Sequence, residues 1–211
     1  MAQLPEGLVA VGGELSPRSV LAEYRRGVFP WYVEGQPVLW WCPDPRMVFP
    51  GCEVHASRSL RRRLASGEFT FTLDTAFERV IDACAAPRAG SDGTWITAAM
   101  RAVFVRLHHD GHAHSIEVWR DDALVGGLYG LALGRVFFGE SMFSTTTDAS
   151  KAALVTLAAY LKRRGFALID GQLENAHLVR MGGQAWERRA FLTALKALAA
   201  PPDPVGRWHL P

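Results

Sequence analysis

The sequence predicts an α+β fold in which helices pack against a mostly antiparallel sheet. The chain has 211 residues, 49% of them hydrophobic, which is enough for one sizeable core or for a main domain with a small appendage. From about residue 55 onward, helical and strand patterns alternate without long loops. The preceding residues differ, because they hold seven of the twelve prolines. We therefore expect a small aromatic, proline-rich N-terminal domain over residues 1–54 and a larger domain over residues 55–211.

In the N-terminal domain the pattern predicts one helix followed by irregular structure. Ser16 is placed to cap a helix that starts at Pro17 and stops at Gly27. Prolines then recur, and each of them removes a backbone donor and fixes φ. We expect neither a long helix nor a central strand in this stretch. Its prolines are Pro30, Pro37, Pro43, Pro45 and Pro50.

The larger domain begins with a basic helix, SRSLRRRLAS, and a strand, FTFTL. A helix capped by Asp74 follows, and then a helix that runs from near Thr97 to Gly111. The segments AHSIEVWR, ALVGGLYGLAL and RVFFGESMF predict a three-stranded meander, with its first turn at Asp121 and Asp122.

The last third of the chain predicts a helix capped by Asp148 and ended by Gly165, then a strand, FALID, and a closing helix over residues 187–200. Glycines 126, 127 and 130 lie inside a strand pattern that another strand follows. They favour close backbone approach or a bulge, because a phosphate-binding glycine loop would open a helix.

Bulk properties exclude several classes of protein. The balance of 23 Lys and Arg against 21 Asp and Glu gives a net charge of only +2, so any nucleic-acid surface must be local. Cys42, Cys52 and Cys84 form no CxxC pair, which favours buried thiols in a reducing compartment. No leader pattern and no run of about 18 apolar residues is present. We expect a soluble, cytoplasmic protein with no membrane contact.

Polar residues at the end of the strand FALIDGQ are the first candidates for chemistry. Asp170 and Gln172 are two residues apart, so an extended strand would send both side chains to one face. Glu140 lies inside the apolar run VFFGESMF. Burying these carboxylates costs several kcal/mol unless each has a partner or a ligand. The alternative is that both are ordinary core carboxylates with satisfied hydrogen bonds.

Other kinds of site are weakly supported. The histidines at 108, 109, 112 and 114 lie at a helix end and a strand start, without the spacing of metal ligands. Ser141 lacks the Gly-x-Ser-x-Gly elbow of a serine hydrolase. The basic helix, with Arg58, Arg61, Arg62 and Arg63, could bind phosphates or could be a solvated face.

One family resemblance covers the chain from about Gly7 to its end. The segments VGGELSP, YRRGVFPWY, LWWCPDPR, GTWIT, GHAHSIEVWR, LVGGLYG, FFGESMFS, ASKAAL and LIDGQ resemble, in this order, the leucyl/phenylalanyl-tRNA–protein transferase family. The resemblance implies an enzyme that moves Leu, Phe or, less well, Met from its tRNA to the N-terminal Arg or Lys of a protein, which marks that protein for degradation. It also implies an acetyltransferase-like (GNAT-like) larger domain, and we expect no cofactor and no metal.

The resemblance also implies site residues. Asp170 and Gln172 match the proposed catalytic pair, and Glu140 matches a carboxylate in the same cavity. We expect Gln172 to orient the attacking amine and Asp170 to fix the Gln172 amide. The matching residues of the apolar aminoacyl pocket are Trp31, Trp95, Leu128, Phe137, Leu154, Leu157 and Ile169.

Further expectations concern the tRNA and residue 171. With the resemblance in view, the arginines at 58, 61, 62 and 63 become candidate tRNA contacts. Relatives commonly have Cys where this chain has Gly171, which argues against thiol catalysis. Two alternatives stay open, namely a CoA-dependent N-acyltransferase and a non-catalytic RNA-binding module.

Overall fold

A computed structural model describes residues 5–87 and 94–210 of the chain. It has the expected mixed α+β architecture, built on two sheets. The strands are β1 (Leu8–Val11), β2 (Phe29–Pro30), β3 (Leu39–Trp41), β4 (Arg46–Pro50), β5 (Thr70–Leu73), β6 (Ala113–Arg120), β7 (Ala123–Leu133), β8 (Val136–Ser144), β9 (Leu168–Gln172) and β10 (Gln184–Trp186). The helices are α1 (Pro17–Tyr24), α2 (Arg58–Ala65), α3 (Phe77–Ala85), α4 (Ala98–His109), α5 (Ala149–Arg163), α6 (Ala176–Arg180) and α7 (Arg188–Leu198).

A three-stranded antiparallel sheet, in the order β1-β3-β2, forms the N-terminal lobe together with α1. Helix α1 starts as predicted, because Ser16 accepts a hydrogen bond from the Ser19 amide and the Ser19 hydroxyl accepts one from the Ser16 amide. The helix ends at Tyr24, and Gly27 has a φ of 78° in the turn that follows. This start and stop place Tyr24 at the inner end of the lobe.

The larger sheet has seven strands in the order β10-β4-β9-β8-β7-β6-β5. All its described pairs are antiparallel except β8 with β9, which are parallel and joined through α5. The predicted meander is confirmed as β6, β7 and β8, and the turn after β6 has positive φ at Asp121 and Asp122.

Helices cover both faces of this sheet. Side chains alternate along β7, so that Tyr129 and Leu131 join the core under α3 and α4, whereas Leu128 and Ala132 join the core under α5. Two apolar clusters therefore lie on opposite faces of the sheet, and the N-terminal lobe packs into the first of them through residues such as Tyr24.

The expectation that the proline-rich stretch forms no interior strand is wrong for β4. This strand lies between β10 and β9 in the larger sheet. Pro45 and Pro50 flank or end the strand, so its intervening residues keep the backbone donors that the ladder needs. Because β4 falls within residues 1–54, part of the predicted N-terminal domain pairs with the larger sheet, and the division at residue 54 remains a prediction.

Two predicted helix caps are also wrong in mechanism. Helix α3 begins at Phe77 after Ala76 and has no side-chain cap. The Asp74 carboxylate instead accepts hydrogen bonds from the backbone amides of Ser115 (2.9 Å) and Trp208 (2.7 Å). Asp148 does precede α5, but its φ is 67° and its carboxylate binds Lys151 at 2.6 Å. Both aspartates serve tertiary contacts that local sequence does not reveal.

The predicted role of the strand glycines is confirmed. A β carbon at Gly130 would lie 2.1 Å from the Phe138 carbonyl oxygen, and the β7–β8 register shifts at this point. At Gly126 it would lie 2.6 Å from the side chain of Ala149, at the start of α5.

The three cysteines are buried and form no disulfide. Within residues 5–87 and 94–210, no helix is long and apolar enough to cross a membrane.

Candidate active site

A cavity of about 870 Å³ opens where β8 and β9 separate. The two strands pair only through Val136–Leu168, Phe137–Ile169 and Phe138–Asp170. Beyond that point β8 continues to pair with β7 alone, and residues 139–144 of β8 line the cavity opposite residues 170–173. The sheet itself therefore creates the cavity, because the cavity floor lies where the pairing of β8 with β9 ends.

Six of the seven predicted pocket residues line this cavity. They are Trp31, Trp95, Leu128, Phe137, Leu154 and Ile169. Leu128, Phe137, Leu154 and Ile169 are almost completely buried, whereas the Trp31 side chain is 40% exposed and packs edge-on against Trp41. We call these six residues the apolar wall. Trp31 lies at its mouth.

Leu157 lies outside the lining, which corrects its predicted position. It follows Leu154 by three residues on α5, so it lies about 4.5 Å further along the helix axis. There it is 1% exposed, within the core behind the cavity. Its contribution is to packing under the wall.

Glu140 and Gln172 face each other across the separated strands. The Gln172 amide donates from Nε2 to Glu140 Oε1 at 2.9 Å, and the Tyr24 hydroxyl donates to the same oxygen at 2.8 Å. In the part of the chain that the structure describes, no hydrogen bond reaches Glu140 Oε2 or Gln172 Oε1. Both residues line the cavity, so these two oxygens are available to a ligand.

Asp170 is held by Arg46, a residue to which the sequence assigned no role. Arg46 Nε donates to Asp170 Oδ1 at 2.8 Å and Arg46 Nη2 donates to Oδ2 at 2.6 Å, a bidentate pair that is 1% and 0% exposed. The Asp170 Oδ1 atom also accepts the backbone amide of Gln172 at 2.8 Å. Both carboxylate oxygens of Asp170 are thus occupied within the protein.

The expected contact between the Asp170 carboxylate and the Gln172 side-chain amide is not made. Residue 172 departs from an extended strand, with a φ of 61°, and the β4–β9 register shifts so that Met47 pairs with Gln172 while Val48 pairs with Asp170. Gly171 is the extra residue of this bulge. Asp170 therefore controls the backbone of Gln172, and Glu140 holds its side chain.

Burial dominates the electrostatics of Glu140. Loss of solvation raises the pKa of its carboxyl to about 8; Asp170 adds to the rise, whereas the Tyr24 hydroxyl and Arg46 oppose it. Burial, with Glu140 nearby, also raises the Tyr24 pKa well above its ordinary value, so its hydroxyl remains a donor. At neutral pH the Glu140 carboxyl consequently carries a proton, and it loses that proton within the range where an α-amine does.

Sequence reasoning missed Tyr24 and Arg46, although both lie in quoted segments, YRRGVFPWY and LWWCPDPR. Neither is near the strand ends in sequence: Tyr24 and Arg46 are 116 and 124 residues from their partners, Glu140 and Asp170. The sequence did contain one indication of this pair. Arg46 directly precedes the apolar run MVFP, and a charge buried there needs a partner.

The basic helix α2 contacts α5, whose Ser150 lines the cavity. Arg58, Arg61 and Arg62 are exposed and, among the described residues, form no ion pair. Arg63 differs, because it binds Glu68 at 2.7 Å and the Thr147 carbonyl oxygen at 2.9 Å, just before α5. The four arginines are therefore not equivalent: three face solvent and one fixes the loop.

The described residues form neither a metal site nor the serine–histidine pair of a hydrolase. His114 stacks on Trp208 with ring centroids 3.6 Å apart and binds Asp74 through Nδ1 at 2.8 Å. Within residues 5–87 and 94–210, no group of three or more His, Cys, Asp or Glu side chains could hold a metal ion. Ser141 lines the cavity but is hydrogen-bonded to no described histidine.

Comparison with solved structures gives weak likenesses. The structure of L-PGS from Bacillus licheniformis matches with a TM-score of 0.43 and 12% identity, over 79% of this chain and 58% of that one. The C-terminal domain of a putative lysylphosphatidylglycerol synthetase from Agrobacterium fabrum matches with a TM-score of 0.45 and 13% identity, over 76% and 58%. This chain spans less than two thirds of either structure, and neither likeness assigns a fold class.

Sequence comparison is decisive. The profile of the leucyl/phenylalanyl-tRNA protein transferase family matches residues 48–196, and the profile of that family's N-terminal domain matches residues 13–44. The leucyl/phenylalanyl-tRNA–protein transferase of Xylella fastidiosa (strain M23) is 53% identical over 98% of this chain and 85% of its own length. That of Xanthomonas euvesicatoria pv. vesicatoria (strain 85-10) is 55% identical, over 97% and 82%. The chain therefore belongs to the leucyl/phenylalanyl-tRNA–protein transferase family.

Proposed function

We propose that this protein transfers Leu or Phe, and less well Met, from aminoacyl-tRNA to the N-terminal Arg or Lys of acceptor proteins. The observation that carries the proposal is one cavity with an apolar wall on one side and the Glu140–Gln172 pair on the other. In this proposal the new N-terminal residue marks the acceptor for degradation. Because the donor, aminoacyl-tRNA, is a cytoplasmic molecule, the proposal assigns the reaction to the cytoplasm.

The apolar wall is suited to the side chain of the donated residue. Phe137 and Ile169 form paired positions of β8 and β9 at its floor, and Leu128 and Leu154 close its sides. A buried methylene contributes only about 0.8 kcal/mol, so area alone discriminates weakly between similar side chains. We attribute the exclusion of Ile and Val to steric contact at the β carbon. The exposed indole of Trp31 is placed to cover the end of the tRNA.

The polar side of the cavity is suited to the incoming α-amine. The amine nitrogen attacks the ester carbonyl carbon; the new C–N bond forms, the ester C–O bond breaks, and the ribose oxygen leaves with a proton. Gln172 Oε1 accepts a hydrogen bond from the amine and orients it. The ionised form of Glu140, whose pKa of about 8 lies near that of an α-amine, takes the proton that the amine loses and passes it to the departing ribose oxygen.

No cofactor takes part in this scheme, because the ester is already activated. Asp170 acts indirectly, since its two oxygens are engaged by Arg46 and by the backbone of Gln172. It fixes the backbone from which the Gln172 side chain projects.

We assign tRNA binding to the three unpaired arginines of α2, which are Arg58, Arg61 and Arg62. Several different tRNAs must serve as donors, so phosphate contacts suit the role better than base contacts. The position of α2 supports the assignment, because Arg63 joins it to the loop before α5 and Ser150 of α5 lines the cavity. Arg63 fixes that loop.

The acetyltransferase-like class of the larger domain belongs to the same proposal. Its support is the parallel β8–β9 pair, joined by α5, inside an otherwise antiparallel sheet. A CoA-dependent acyltransferase is the competing function. The strand glycines do not favour it, because they lie within β7 and do not open a helix.

The test is direct. Purified protein, mixed with Leu-tRNA radiolabelled in the leucine and a protein that begins with Arg, is expected to label that protein. The matched acceptor begins with Glu and should stay unlabelled. Acetyl-CoA binding measured by calorimetry, together with no transfer from Leu-tRNA, would instead support the CoA-dependent activity. Salt-sensitive tRNA binding without any product would favour a non-catalytic RNA-binding module.

A further inference from the structure

We propose that Arg46 is a positioning residue for the transfer reaction, which acts on Gln172 through Asp170. This inference rests on the proposed function, since it gives Arg46 a part in that reaction. Arg46 is 1% exposed and does not line the cavity, so it touches neither substrate. Any effect on the chemistry must reach the cavity through its partners.

The first step is the rigid placement of Arg46 itself. Its Nη1 donates to the Gly27 carbonyl oxygen at 3.0 Å, which connects it to the N-terminal lobe. The guanidinium carbon lies 4.8 Å from the centroid of the Phe29 ring and 4.6 Å from that of Phe191. The guanidinium is thus fixed by the N-terminal lobe and by α7, while its Nε and Nη2 hold Asp170.

The second step runs from Asp170 to the backbone of residue 172. Gln172 adopts a left-handed conformation that non-glycine residues rarely adopt, and tertiary contacts have to hold it there. The Asp170 Oδ1 atom supplies such a contact by accepting the Gln172 amide at 2.8 Å. The same oxygen accepts Arg46 Nε, so the orientation of the carboxylate and the bend of the chain are set together.

The third step is the direction of the Gln172 side chain. From this bend the amide reaches Glu140 Oε1 and leaves Oε1 of Gln172 in the cavity. If Asp170 turned away, the backbone of residue 172 would lose the acceptor that holds its bend. Because reacting groups must be held within a fraction of an ångström, a small rotation there lowers turnover without disturbing the apolar wall.

Stability alone is a weak reason for this ion pair. Fully buried pairs can often be replaced by apolar residues of similar volume without loss of stability. The fork of an arginine, in contrast, fixes the orientation of a carboxylate through two parallel hydrogen bonds, which a lysine cannot do. The bidentate contact of Arg46 therefore suits a residue that sets the orientation of the Asp170 carboxylate.

A double-mutant cycle with R46K and D170N tests the proposal, using the full-length protein. Both substitutions keep a polar side chain of similar length. D170N and the double variant leave a buried cation without a carboxylate, so Tm shows whether each variant is folded before its kcat is compared. For each variant the measurements are kcat and KM with Leu-tRNA, the Kd for a non-hydrolysable leucyl-adenosine analogue, and Tm. R101K, in the exposed pair of Arg101 with Asp82, is the matched control and should leave all four unchanged.

We expect R46K to lower kcat by roughly 10- to 100-fold while the analogue Kd stays within about twofold. The double variant should have a kcat within about threefold of the slower single variant, because both substitutions disrupt the same chain of contacts from Arg46 through Asp170 to Gln172. A kcat for R46K within twofold of the wild type would overturn the proposal. So would losses that multiply in the double variant, or an analogue Kd that rises in step with the loss of kcat. Absence of transfer by the wild type would instead refute the proposed function.

Discussion

The two sides of the cavity are built in opposite ways. The apolar wall takes most of its residues from neighbouring strands and α5, so its members are close in the sheet. The polar side is assembled from Tyr24 on α1, Arg46 on β4, Glu140 on β8 and the bend at the end of β9. We expect the wall to tolerate exchange among apolar residues and the polar side to depend on each hydrogen bond. Substitutions in the two regions should therefore differ in kind.

The largest effect is expected from Gln172→Ala on the polar side. Loss of the amide that orients the amine should lower kcat by roughly 10- to 1000-fold, with little change in the Kd of the leucyl-adenosine analogue. Steady-state kinetics and competition binding measure the two quantities. Gln184→Ala, at an exposed position on β10, is the control. Equal kinetics for the two variants would remove Gln172 from the mechanism.

Asp170→Ala should lower stability as well as turnover, because it leaves the buried Arg46 without its partner. The expected loss in the free energy of unfolding is about 3–5 kcal/mol, measured by urea denaturation. Asp110→Ala removes a surface partner of Arg106 and should cost less than about 1 kcal/mol. If the two substitutions cost the same, the Arg46–Asp170 pair is not the buried network described above.

Glu140→Gln should change how stability depends on pH. Folding raises the pKa of this carboxyl to about 8, so between its unfolded value near 4.5 and pH 8 the folded state holds a proton that the unfolded state has lost. The contribution of Glu140 to the free energy of unfolding is therefore complete below pH 4.5 and is lost as the pH rises to 8. Within this range the free energy of unfolding falls by at most about 1.4 kcal/mol per pH unit. The difference between the wild type and Glu140→Gln, measured by urea denaturation from pH 5 to 8, should have this sign. A difference independent of pH would contradict it.

On the apolar wall, Leu154→Ala and Leu157→Ala form a matched pair. Leu154→Ala should alter the ratio of kcat/KM for Leu-tRNA to that for Phe-tRNA, by an amount on the order of tenfold, because it reshapes the cavity. Leu157→Ala should cost about 2–5 kcal/mol of stability and leave this ratio unchanged, because Leu157 lies in the core. A changed ratio in Leu157→Ala would place that residue in the wall after all.

The smallest effect on chemistry is expected outside both regions. Replacing Arg58, Arg61 and Arg62 with Ala should weaken tRNA binding and reduce the slope of log K against log salt by about 2–3, with kcat at saturating tRNA unchanged. Filter binding at several salt concentrations measures the slope. Arg106→Ala, in an exposed ion pair on α4, should leave it unchanged. An unchanged slope in the triple variant would exclude α2 as the tRNA surface.

Local sequence patterns predicted the meander, the helix α2 and the strand glycines because each depends on periodicity or on a single turn. The caps at Asp74 and Asp148 were wrong because these side chains serve partners elsewhere in the fold, such as Trp208 for Asp74. The strand β4 was missed because proline content alone does not show that two prolines flank a pairing segment. Sequence alone cannot supply such long-range pairings.

The same limit applied within the site. Six wall residues followed from motif matches, but the bend at Gln172 did not, since a period of two predicts an extended strand. The roles of Tyr24 and Arg46 required the packing of distant segments. Their partners lie more than 100 residues away in sequence.

The placement of Arg46 determines what a shortened chain could do. A fragment over residues 48–196, the range of the main family profile, would keep the strands that separate and most of the greasy lining. It would lack the phenol that binds Glu140 and the guanidinium that steadies Asp170. Such a fragment could hold a donated side chain and yet have no means to direct an amine onto it. If the proposed function holds, the catalytic geometry therefore needs residues from two parts of the chain before residue 48, α1 of the N-terminal lobe and the first residue of β4.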